Sequence, residues 1–220
     1  MTELTPAPRT KPLLRGVSHQ IGFFAALIAG ALIVARAPGR REALGLFAYC
    51  ASLCVLLGTS ALYHRPNWSP GRRAFLRRLD HSAIFILIAG TYTPLCMLAL
   101  PAARGTLMLW VVWLGAAAGV TQSLLWTRAP RWLSTSIYLA FGWIGVAHSQ
   151  QMAAIMGWRG VLLFLLGGLL YSVGAVIYAR RKPDPWPKVF GYHEIFHVLV
   201  LAASALHFFV IAEVAFHRAP

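Results

Sequence analysis

The chain has 220 residues, of which 58% are hydrophobic and only 12% charged, with a mean hydropathy of +0.63; a soluble domain carries about 25% charged residues. Its net charge of +14 raises nucleic acid as a partner, but the basic residues fall in short gaps between apolar blocks, and no recognition helix or aromatic RNA-binding motif is present. Composition therefore excludes an ordinary soluble domain and a nucleic-acid binder, and predicts an integral membrane protein whose surroundings are membrane lipids.

Residues 1–15, rich in Pro, Thr and Arg, are expected to form a disordered cytoplasmic tail. Residues 16–214 are expected to form one transmembrane domain. The first apolar block, 17–36, ends in Ala35-Arg36-Ala37, which resembles a signal-peptide cleavage site. It is longer than a signal core of about 7–15 residues, so it reads as a retained span. The second block, 43–64, follows the breaker Ala37-Pro38-Gly39-Arg40-Arg41. It contains Cys50 and Cys54, which, with Cys96, read as small buried hydrophobes. Blocks 81–100, 106–126, 132–151, 160–179 and 192–213 come next. Their separators are Arg65-Pro66-Asn67 with Pro70-Gly71-Arg72-Arg73, then Pro101, Ala129-Pro130-Arg131, Gly157-Trp158-Arg159 and Arg181-Lys182-Pro183-Asp184-Pro185. Each block is about 20 residues long, enough to cross the hydrocarbon core. Trp126, Trp132 and Trp158 lie at block ends, as interfacial anchors do. The predicted fold is thus all-α, a bundle of seven transmembrane helices.

Basic residues orient that bundle. The tail carries three, and the gaps after the second, fourth and sixth blocks carry five, two and four; only six of the 20 lie on the other side. The positive-inside bias places the N-terminus in the cytoplasm and the C-terminus outside. His64 closes the second block, Asp80 precedes the third, and His193 and His197 open the seventh. With seven crossings, all four fall at one membrane depth, near the cytoplasmic face.

His193-Glu-Ile-Phe-His197 places two imidazoles on one helix face. Polar groups at membrane depth are expensive, which points to function. Zn2+ takes three protein ligands and a water in a catalytic site, and His64, His193 and His197 can supply three nitrogens. A metal lowers the pKa of bound water to about 7. Ser60, one turn before His64, can hydrogen-bond a ligand or the water, and Asp80 can orient the water or take its proton. His19 and His81 sit at the same depth and read as structural or interfacial residues, with support of the ligands as the alternative. His148 and His207 read as structural, bonding carbonyls across the bundle, and His217 as solvated.

Two competing readings use the same chain. The run from His193 to His197 matches the metalloprotease pattern H-E-x-x-H, with Glu194 as general base. No Asp-containing motif follows to give a third ligand, and His64 fills that role more economically. A retinal pigment needs a lysine within a span; Lys11, Lys182 and Lys188 all lie outside the blocks, so this reading is excluded.

Three stretches carry a family resemblance: Gly58-Thr-Ser-Ala-Leu-Tyr-His64, Leu79-Asp-His-Ser-Ala-Ile-Phe-Ile-Leu-Ile-Ala-Gly-Thr-Tyr-Thr-Pro94, and Gly191-Tyr-His-Glu-Ile-Phe-His197 continuing to Ser204-Ala-Leu-His207. Arg131-Trp-Leu-Ser-Thr135 and Gly142-Trp143 add to them. The chain resembles the haemolysin III family, the bacterial branch of the progestin and adiponectin receptor superfamily, over nearly its whole length. The resemblance implies seven helices with the N-terminus inside a bacterial inner membrane. It implies zinc on His64, His193 and His197, with Ser60 and Asp80 beside the metal-bound water. The wider superfamily includes alkaline ceramidases, which implies hydrolysis of a lipid amide or ester as the expected activity, with a lipid as substrate. A non-enzymatic membrane-homeostasis sensor with structural zinc and a membrane-lytic haemolysin are the alternatives.

Overall fold

A computed structural model describes residues 11–126 and 130–216; residues 1–10 of the expected tail and His217 lie outside them. The described chain is all-helical. Among the described residues there is no strand, only one isolated β-bridge between Trp186 and Phe190. The helices are α1 (Val17–Ala35), α2 (Arg40–His64), α3 (Pro70–Leu98), α4 (Ala102–Leu125), α5 (Arg131–Gly142), α6 (Ser149–Arg180) and α7 (Tyr192–Phe216), with a 3-10 segment at Ile144–His148 between α5 and α6.

Among the described residues, six stretches are long and apolar enough to cross a membrane. The order of packing follows from how much of each helix is enclosed. In α3, 72% of the apolar window is buried, against 11% in α1, so α3 is the central helix and α1 a peripheral one. α2 and α4 pack on α3, α1 on α2, and α6 on α7. Large side chains such as Ile21, Phe24 and Ile28 of α1, and Trp110 and Leu114 of α4, face outward, where a hydrocarbon solvent would accept them.

Three expectations change. The third helix begins at Pro70, not at 81, so Arg72, Arg73, Arg77 and Arg78 form its first turns instead of a loop. Pro70 stands at the first helical position, where its fixed φ and missing N–H are tolerated, and arginine is a good helix former. Charge ended the apolar block but did not end the helix. Asp80 and His81 consequently lie well inside α3.

The fifth block is not one regular helix. α5 has 12 residues, about 18 Å at the usual rise and too short for a core of about 30 Å. The helix tightens into the 3-10 segment where Tyr92 intervenes. Its hydroxyl donates to the Gly142 carbonyl and accepts from the Gly145 N–H at 3.0 Å. α6 then runs through a break at Gly157, whose φ of 67° and ψ of 167° are open in practice to glycine alone. The separator foreseen at Gly157-Trp158-Arg159 thus falls on a non-helical break that divides α6 into two helical parts, within one apolar stretch of 49 residues, Trp132–Arg180.

Residues 11–15 were expected to be disordered but are docked. Leu13 and Leu14 donate backbone hydrogen bonds to the Lys188 and Val189 carbonyls, and Lys11 donates to the Arg65 carbonyl. The segment crosses the same end of the bundle that holds His64 and His193. There Gly16, at φ 78°, turns the chain into α1; a Cβ on it would lie 2.7 Å from the His64 Cβ.

Candidate metal centre

α7 starts beside the α6–α7 loop because its first amides are capped. Asp184 Oδ1 accepts the Tyr192 N–H at 3.1 Å, and Glu194 Oε2 accepts the Gly191 N–H at 2.8 Å. The second bond is half of a capping box, a glutamate three residues into the helix reaching back to its start. Glu194 Oε1 is paired with Arg15 of the docked N-terminal segment. Both carboxylate oxygens of Glu194 are therefore engaged in holding the helix end.

This start fixes His193 and His197 on one face of α7. His64, the last residue of α2, meets them from across the bundle. His64 Nε2 and His193 Nε2 lie 3.1 Å apart although the residues are 129 positions apart in the chain. One ligating nitrogen from each of His64, His193 and His197 lies within 4.8 Å of the others, and all three residues are buried. Zinc–nitrogen bonds of about 2.0–2.1 Å at tetrahedral angles separate two ligand nitrogens by about 3.3 Å. The His64–His193 separation matches that spacing and the third nitrogen lies within 4.8 Å, so small side-chain movements would let the three residues hold a divalent metal.

Neighbouring groups hold the imidazoles in place. His19 of α1 stacks on His197 with ring centroids 3.8 Å apart and 11° between planes. His19 Nδ1 is 2.8 Å from Ser60 Oγ, so Ser60 engages His19 and through it the His197 ring. Asp80 Oδ2 lies 3.8 Å from His64 Nε2, beyond a direct hydrogen bond but within the same polar pocket. Tyr63 and Tyr178 pack against the His64 and His193 rings, walling the cluster with aromatic surface.

The structure thus gathers Ser60, His64, Asp80, His193 and His197 at one end of the bundle. His19 joins them directly, and His81 lies beside Asp80, 3.9 Å from Nδ1 to Oδ2. His207 sits apart, its Nε2–H donating to the Phe164 carbonyl at 3.0 Å, and His148 is outside the cluster. Two contributors were missed in the sequence. Arg15 lies in a segment whose composition suggested disorder, and nothing there marked it. Glu194 was weighed only as a base; the spacing Gly191-x-x-Glu194 was the legible sign of a cap.

The cluster opens into a cavity of about 460 Å³ running between α3, α5, α6 and α7 as far as His207. Its inner walls are largely apolar, with Leu56, Ile84, Leu87, Val161, Phe164 and Val200 among the lining residues. Such a volume is typical of small-molecule sites.

These features define a multi-pass helical membrane protein with a buried three-histidine cluster at the head of an internal cavity. The family model for haemolysin-III related proteins matches residues 8–208; the chain belongs to the haemolysin III family, within the progestin and adiponectin receptor superfamily. It is 31% identical to the "Hemolysin-3 homolog" of Bacillus subtilis (strain 168) over 202 residues, covering 90% of this chain and 92% of that protein. It is 30% identical to "Hemolysin-3" of Bacillus cereus over 214 residues, covering 96% and 94%. An "Adiponectin receptor protein" of Drosophila melanogaster is 31% identical over 189 residues, 78% of this chain but 42% of that longer protein.

Proposed function

We propose that this protein is a zinc-dependent hydrolase of a lipid amide or ester, acting within a bacterial inner membrane and affecting its lipid composition. The observation that carries the reading is the convergence of three buried imidazoles at the head of a largely apolar cavity. His64, His193 and His197 would hold the metal. Zinc, when bound, supplies a Lewis acid able to make water a nucleophile at neutral pH.

The chain's own residues supply the remainder. Asp80, the acid beside His64, accepts a proton from water in the pocket. Ser60 and His19 fix the His197 ring, so the ligand does not rotate away. The apolar cavity takes the acyl chain and excludes bulk water. Glu194 is no rival as base, because both its oxygens serve the cap and Arg15.

The proposed topology has seven crossings. The 49-residue stretch Trp132–Arg180 is about 74 Å long at the helical rise, enough to cross a core of about 30 Å twice. An odd number of crossings, with the basic excess on the histidine side, faces the site toward the cytoplasm. A sensor with structural zinc is the second reading, supported by the way His64 joins α2 to α7. The names of the Bacillus relatives suggest lysis. The short loops among the described residues offer no inserting segment.

Purified protein in liposomes separates the three. The expected result is release of fatty acid from an acylated lipid without leakage of an enclosed dye. Leakage without release would favour lysis, and neither would favour the sensor.

A further inference from the structure

Four arginines line the cavity together with the histidine cluster: Arg15, Arg73, Arg77 and Arg78. Arg73 and Arg77 are exposed, so they mark the solvent end of a cavity whose other end is buried. Arg15 is matched by Glu194. Asp80 is the one acid among the described lining residues, beside the three arginines Arg73, Arg77 and Arg78. Arg78 Nε is buried and lacks a hydrogen-bond partner, a state that costs stability unless a ligand answers it. Arg73 lies over the Tyr63 ring, 5.2 Å from its centroid, which holds its guanidinium beside the opening.

These three arginines follow one another along the first turns of α3, from exposed Arg73 and Arg77 to half-buried Arg78, and lead toward Asp80 and His64. From the mouth inward the order is guanidinium groups, then the polar cluster, then apolar wall. A ligand that satisfies all three zones has an anionic head, a polar link and a hydrocarbon chain. Guanidinium matches carboxylate and phosphate oxygens in paired hydrogen bonds.

We propose that Arg73, Arg77 and Arg78 form an oxyanion-recognising rim selecting acyl amphiphiles whose head, on the polar side of the amide or ester bond, carries a carboxylate or phosphate. The assignment rests on the lipid-hydrolase reading above and narrows its substrate class.

The test compares two nearly isosteric probes, N-dodecanoylglycine and N-dodecanoylglycinamide, binding to the purified full chain in non-ionic detergent. The anionic probe is expected to bind about tenfold more tightly, the scale of one charge-assisted pair. Arg73→Gln with Arg78→Gln should abolish that preference, and Arg73→Gln alone, an exposed change that leaves the half-buried Arg78 in place, should reduce it. Arg73→Lys, which keeps the charge, should retain part of it. Equal affinities in the unmodified protein, or a preference that survives both glutamine substitutions, would overturn the rim. Displacement of dodecanoylglycine by inorganic phosphate at comparable concentration would show a site for free oxyanions and overturn the lipid assignment. Hydrolysis is scored separately on the same samples. Turnover of both probes with equal affinity removes the rim but leaves the hydrolase, and a preserved preference without turnover does the reverse.

Discussion

Replacing Asp80 by asparagine is expected to cut amide or ester hydrolysis by about 10²–10⁴-fold, the usual worth of a positioned proton acceptor, while metal content changes little. Asparagine keeps the shape of the side chain but does not take a proton at neutral pH. Asp80 is the acid nearest the cluster, 3.8 Å from His64 Nε2, and it lines the cavity. The internal control is Glu194→Gln. That change weakens the ion pair to Arg15 and the cap on Gly191, so it should lower the melting temperature more than it lowers the rate of properly folded protein. Ser60→Ala should fall between the two, since it frees the His19 ring without removing a base. Initial rates normalised to bound metal decide the matter. Loss of activity in Glu194→Gln with retention in Asp80→Asn would transfer the base role to Glu194 and restore the H-E-x-x-H mechanism.

Metal removal is the second large effect. His64 lies on α2 and His193 and His197 on α7, two helices that otherwise share few close approaches. A metal bound across them stabilises the folded bundle by mass action, by about 4 kcal/mol when it is present at 1,000 times its dissociation constant. For a chain of this size that corresponds to roughly 8–16 °C in melting temperature. A chelator should therefore lower the melting point of the unmodified protein by about that amount and leave His197→Ala almost unmoved. Equal shifts in both would place the metal elsewhere.

Most of the cluster could be read in the sequence because membrane burial makes polar residues conspicuous. His193 and His197 at i, i+4, and His64 and Asp80 at block ends, stood out against apolar surroundings. Helix limits were harder. The apolar-block criterion misses a helix that continues into the headgroup region with arginines, which is why α3 begins earlier than expected. It also misses a break made by a side chain from elsewhere, as Tyr92 makes between α5 and the 3-10 segment. The tail posed the opposite difficulty. Lys11, Leu13, Leu14 and Arg15 look like a disordered run by composition, yet their partners on the α6–α7 loop and α7 order them. Such long-range pairings leave no periodic signal in the chain. The stacking of His19 on His197 is similar: both lay at the expected depth, but only the packing of α1 on α7 brings the rings together.

The central claim is that one divalent metal binds through His64, His193 and His197. Elemental analysis of the protein purified without chelators, alongside His64→Ala and His193→Ala, tests it most directly. We predict about one zinc per chain in the unmodified protein, since three imidazoles complete one tetrahedral catalytic-type site, and near-complete loss in both variants at unchanged helical content. Full stoichiometry in folded His64→Ala and His193→Ala would contradict it.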